Sequence, residues 1–126
     1  MSAQLTSEMV EAGENLLREL DRHKFPAKTV LWLYEDERDE WSLVIATPHL
    51  RSMGPLKNYK SVQKVMRKIE TPLTLPSVAL VDTKDRFIKE LKTRTRRRAA
   101  ASAVRLSHAY IGGRFIEDAY IYRVAA

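Results

Sequence analysis

Apolar or small residues recur at Val10, Gly13, Leu16, Leu17 and Leu20, a spacing that places one buried face on a first helix. Thr6 or Ser7 can cap its start, where Glu8 and Glu11 favour the positive end of the helix dipole, and His23, Lys24 and Pro26 close it. The pattern then changes from a stripe to unbroken runs. TVLWLYE (29–35) and WSLVIAT (41–47) are apolar on both faces and rich in β-branched and aromatic residues, which predicts two strands inside a helix-covered sheet. The acidic DERDE between them predicts a solvated turn. Pro48 ends the second strand, and HLRSMG predicts a loop.

Pro55 suits the first position of a helix, and the spacing predicts one over about 56–70. Its core face is Tyr59, Val62, Val65, Met66 and Ile69; Lys57, Lys60, Lys64, Arg67 and Lys68 fall within about 100° on the opposite side. Pro72 and Pro76 bracket a linker before a short third strand, SVALVD (77–82). Asp82 or Thr83 can cap a helix carrying Phe87, Ile88 and Leu91. That helix runs into KTRTRRRAAASA, where five Lys or Arg between Lys92 and Arg98 repel one another and predict fraying or a mobile basic loop. VRLSHAYI and RFIEDAYIYRV flank Gly112-Gly113, a strong hairpin signal. A two-residue turn there sets His108 opposite Glu117, Ser107 opposite Asp118 and Tyr110 opposite Phe115. The expected architecture is an α/β (α+β) domain spanning residues 1–126, in the order α-β-β-α-β-α-β-β. It has a mixed five-stranded sheet with about three helices packed against it. Strand order does not follow from the sequence.

Composition narrows the class. A chain of 126 residues with 44% hydrophobic content suits one packed domain and excludes disorder. The absence of cysteine excludes a disulfide framework, thiolate metal sites and a cysteine nucleophile. No apolar run approaches the ~20 residues that span a bilayer, and no basic segment precedes an apolar stretch at the N-terminus. A cytoplasmic protein with no membrane partner is therefore expected.

Charge is the most informative feature. Residues 1–50 carry five basic and ten acidic side chains, whereas residues 51–126 carry seventeen basic and six acidic. Lys57, Lys60, Lys64, Arg67 and Lys68, with Lys92, Arg94, Arg96, Arg97 and Arg98, form a candidate surface for a phosphate backbone. Arginine suits that role because its planar fork binds phosphate in bidentate fashion and stays ionised. Such contacts carry affinity without sequence preference. No zinc-finger spacing, RRM aromatic motif or KH-type GxxG loop accompanies them, and a solvated helix face with a charged loop accounts for the same residues. An acidic protein surface, or the chain's own acidic half, would also complement them.

Candidate chemistry elsewhere is sparse. A His108–Glu117 pair can serve as an acid/base unit, although an ordinary cross-strand polar pair explains it as well. Asp82, Asp85, Glu117 and Asp118 can hold Mg²⁺ if strand ends gather them, but the first two also suit a helix start. No phosphate-loop or dinucleotide motif is present, so no cofactor is expected. Trp32, Tyr34 and Trp41 beside the acidic turn fit core packing, with an edge for protein contact as the second role. Tyr120 and Tyr122 share a face of the last strand with Asp118, and that strand, if at a sheet edge, can pair with a second copy into a homodimer.

The segments WLYEDERDEWSLVIATP and IEDAYIYRV resemble a group of small uncharacterised bacterial proteins sharing a WLY…W-x-LVIA-[ST]-P hairpin, a GP-led helix and a closing EDAYIYR strand. The resemblance covers most of the chain and implies a bacterial, intracellular, single-domain α/β protein. It brings no activity and no catalytic residue, and the KTRTRRR run is outside its pattern. The leading expectation is a non-catalytic binding module that touches nucleic-acid backbone. The alternative is a protein–protein adaptor or immunity-type partner using the acidic turn and the terminal hairpin.

Overall fold

In the computed structural model, which describes residues 3–95 and 104–124, five strands form one mixed sheet. In chain order the elements are α1 (Ser7–Arg22), β1 (Thr29–Glu35), β2 (Glu40–Ala46), α2 (His49–Met53), α3 (Pro55–Met66), a 3₁₀ turn (Leu75–Ser77), β3 (Val78–Val81), α4 (Arg86–Thr95), β4 (Val104–Ile111) and β5 (Arg114–Val124). The sheet order is β3-β2-β1-β5-β4. Only the β2–β3 pair is parallel, and α2 and α3 form its crossover. The α/β class and element order follow the sequence pattern, with one helix more than expected. Residues 49–53, expected as a loop, make the short helix α2.

The doubly apolar strands sit where both faces are covered. Val30, Trp32 and Tyr34 of β1, with Trp41, Leu43 and Ile45 of β2, turn toward α1 and α3. The intervening Leu31, Leu33, Val44 and Ala46 turn toward Phe87, Ile88 and Leu91 of α4. The molecule is thus layered helix–sheet–helix, with α3 and α4 on opposite faces. Thr6 caps α1, its side chain accepting from the Met9 N–H at 3.1 Å. For α4 the capping side chain is Asp85, which accepts from Phe87 N–H at 2.9 Å, rather than Asp82 or Thr83. Asp82 instead accepts from the Lys84 N–H at 2.8 Å in the preceding turn.

The terminal hairpin has the expected register: Ile111 faces Arg114 and Tyr110 faces Phe115. Gly112 and Gly113 have φ of 61° and 77°, the two left-handed residues of a type I′ turn. Face alternation, however, inverts midway. Leu106 and Ala119 pack on the α4 layer, and so do Ala109, Ile111 and Ile116, which a regular alternation would send to the other side. His108 has φ of 52° at this step. The outer half of the hairpin therefore folds over the α4 face, and its tip docks on the start of that helix. A Cβ on Gly112 would stand 2.7 Å from Phe87 Cα, and the Gly112 N–H donates to the Glu90 carboxylate.

β5 lies between β1 and β4, so the last strand is not the edge expected to pair with a second copy; among the described residues the edges are β3 and β4. No helix among the described residues is long and apolar enough to cross a membrane.

Candidate nucleic-acid interface

α3 owes its orientation to a few well-placed groups. Gly54, with φ of 82°, breaks the chain between α2 and α3, and Pro55 starts the second helix. Asn58, 2% exposed, donates from Nδ2 to the carbonyls of His49 (3.0 Å) and Gly54 (2.6 Å), tying the two helices together. Tyr59 Oη accepts from the Leu80 N–H at 3.0 Å and fixes α3 to β3. With Val62, Val65 and Met66 in the core, the opposite face must point outward. Lys57, Lys60 and Lys64 are exposed on it.

No carboxylate lies in salt-bridge range of these three lysines, or of Arg67, among the described residues. The local sequence explains this, since residues 41–69 contain six Lys or Arg and no Asp or Glu. Arg67 caps the C-terminus of α3, and Lys68 follows in the turn, its Nζ 3.4 Å from His23 Nε2. His23 Nδ1 lies 2.8 Å from the Glu19 carbonyl, which can only accept, so Nδ1 carries a proton. Lys24, beside His23, extends the basic surface onto the end of α1. That extension depends on tertiary packing, and no local sequence signal reports it. Arg51, on α2, is committed elsewhere: it pairs with Asp82 at 3.2 Å. The Lys84 N–H and the Arg51 guanidinium together hold the Asp82 carboxyl below its ordinary value.

The second basic group lies apart from the first. Lys92 and Arg94 are on α4, across the sheet from α3, and Arg94 faces Glu90 at 3.8 Å. Arg96, Arg97 and Arg98 lie outside the described residues, as does the rest of the segment expected to fray beyond Thr95; its first four residues, 92–95, are the last turn of α4. One flat surface does not include both the α3 lysines and Lys92 with Arg94.

The other candidate chemistry is dispersed. The ladder runs through Ser107–Asp118 and Ala109–Ile116 on either side of His108, and no hydrogen bond joins His108 to Glu117 among the described residues. The His108 ring instead leans on Phe115, centroids 6.3 Å apart. Asp82, Asp85, Glu117 and Asp118 do not converge: Asp118 is held by Arg105 at 2.6 Å, and no group of three metal-ligating side chains forms among the described residues. Trp32, Tyr34 and Trp41 are core residues.

At the acidic turn, a shallow cavity of about 370 Å³ is lined in part by Glu35, Asp36, Glu37, Arg114 and Phe115. Partial burial pushes the Glu35 carboxyl up, but hydrogen bonds and charge from Arg38 and Arg114 more than reverse this and hold it below the usual glutamate value. Glu35 is therefore a structural anion that ties the turn to the hairpin. No protein-family model, curated protein or solved structure matches the chain.

Proposed function

We propose that the protein is a non-catalytic binding module that holds nucleic-acid backbone against the lysine face of α3. The observation that carries this reading is the exposed stripe Lys57, Lys60 and Lys64, with no carboxylate partner among the described residues. Seven residues of helix rise about 10 Å, the axial span of about three phosphates on one strand at roughly 3.4 Å each. Arg67 and Lys68 lengthen the stripe. Contacts of this kind give sequence-independent, salt-sensitive binding, and a cytoplasmic location goes with such a partner. Lys92 and Arg94 belong to this reading only as a separate contact, because α3 and α4 cover opposite faces of the sheet; Arg96, Arg97 and Arg98 lie outside the described residues.

The test is anisotropy of a fluorescent 30-mer duplex and a matched single strand at several salt concentrations. Three to five contacts predict a slope of log K on log salt of about −3 to −4.5 on duplex, at roughly 0.9 per contact. Changing Lys57, Lys60 and Lys64 together to Gln should flatten that slope by about 2.7 and leave the urea midpoint in place. Absence of binding at low salt, or an unaltered slope in the triple variant, overturns the reading.

A second reading, a protein partner at the acidic turn and terminal hairpin, has its own support. Tyr110 and Phe115 are 68% and 48% exposed, and their rings meet at a tilt of 56° with centroids 5.0 Å apart. A co-purifying protein released by Phe115→Ser, with indifference to nucleic acid, would favour it. A homodimer through an edge strand would use β4 or β3.

A further inference from the structure

Two of the exposed large hydrophobics stand at a single corner. Leu56 is 67% exposed and Met53 47%, separated only by Gly54 and Pro55 at the α2–α3 junction. Neither helps to build the core. On the α3 wheel, at about 100° per residue, Leu56 lies some 20° from Arg67, 40° from Lys60 and 80° from Lys64. It is thus the first member of the stripe Leu56–Lys60–Lys64, set four residues apart, and not a stray from the buried face. The acid-free stretch 41–69 surrounds it.

We infer that Leu56, with Met53 beside it, is the apolar end of the α3 interface and packs against base or sugar faces of a bound nucleic acid; this rests on the reading of α3 as a backbone-binding surface. Lysines supply attraction that salt screens, whereas an apolar side chain against a partly unstacked base step supplies attraction that salt leaves alone. An anionic lipid surface is the competing occupant for apolar residues among lysines. It is disfavoured because lipid binding scales with the apolar area a helix inserts, and the apolar face of α3, Val62, Val65 and Met66, is committed to the core.

The experiment compares the full-length protein with Leu56→Gln and Met53→Gln/Leu56→Gln on the same oligonucleotides, carrying 2-aminopurine, and on vesicles of phosphatidylserine and phosphatidylcholine. Loss of one buried leucine contact weakens binding about tenfold. The expected result is that loss at every salt concentration, with an unchanged salt slope and with a wild-type 2-aminopurine increase that the variants lack. Both side chains are exposed, so urea midpoints should match. Binding of the variants equal to wild type overturns the apolar contact and leaves the lysine reading standing. No nucleic-acid binding by the wild type overturns both. Vesicle binding that depends on Leu56, without nucleic-acid binding, assigns the corner to lipid and overturns the inference.

Discussion

Gly13 lies inside α1, where glycine is weaker than alanine by about 1 kcal/mol on helix propensity, yet its place is set by a contact 109 residues away. β5 carries an irregularity opposite Val30 and Leu31, which leaves Tyr122 as the extra residue and aims its ring at α1. The Tyr122 hydroxyl accepts from Trp32 Nε1 at 2.9 Å and donates to the Val10 carbonyl at 2.6 Å; burial pushes its pKa up. A Cβ on Gly13 would stand 2.9 Å from Trp32 Nε1 and closer still to the Tyr122 hydroxyl. Both atoms are held by hydrogen bonds and cannot withdraw freely. Gly13→Ala should therefore destabilise by about 1–3 kcal/mol in urea unfolding, against the sign that helix propensity alone gives.

At the scale of elements, the hairpin shows where a local pattern stops being sufficient. A strand position ordinarily welcomes a β-branched residue, but His108 holds φ of 52°, a region where Cβ crowds the backbone and branching makes matters worse. His108→Val is expected to cost about 1–2 kcal/mol by equilibrium denaturation, while Ser107→Val, on the preceding exposed strand position, should be near neutral. The β4–β5 register was legible because Gly112-Gly113 permits only a short turn. The inversion of faces at His108 was not, since it comes from the hairpin tip docking on Phe87 and Glu90, which local spacing does not encode. The same distinction runs through α3. Its core stripe and lysine stripe follow from periodicity. The buried Asn58 that joins it to α2 gave no signal, because a polar residue is buried only when tertiary structure supplies its partners. HLRSMG likewise read as loop, yet the two carbonyls that bond Asn58, those of His49 and Gly54, come from the short helix and the glycine that ends it.

For the molecule as a whole, charge imbalance was read from the sequence correctly in amount, but its distribution over surfaces needed the fold. The acidic half is partly consumed inside the protein. Asp21 binds Arg123 at 2.6 Å, fastening the end of α1 to β5, and the hydrogen bond from Arg123 is the main cause holding the Asp21 carboxyl below its ordinary value. A carboxylate with a lowered folded-state pKa adds stability above its unfolded value near 3.8, and loses it as pH falls through the folded one. Asp21→Asn should therefore cost no more than about 1 kcal/mol at pH 7, the pair being solvent-accessible, and the difference from wild type should shrink as pH falls below 3.8 and through the lowered folded-state value, in acid denaturation followed by circular dichroism. The sheet order has a further consequence, one for biosynthesis. β1 is the central strand, but its second neighbour is β5, so Leu31 and Leu33 find their partners in Ile121 and Ala119 only after β5 itself has left the ribosome. Until then the central, buried strand keeps one hydrogen-bonding edge open, and a nascent chain halted before residue 114 presents that edge to its neighbours on a polysome.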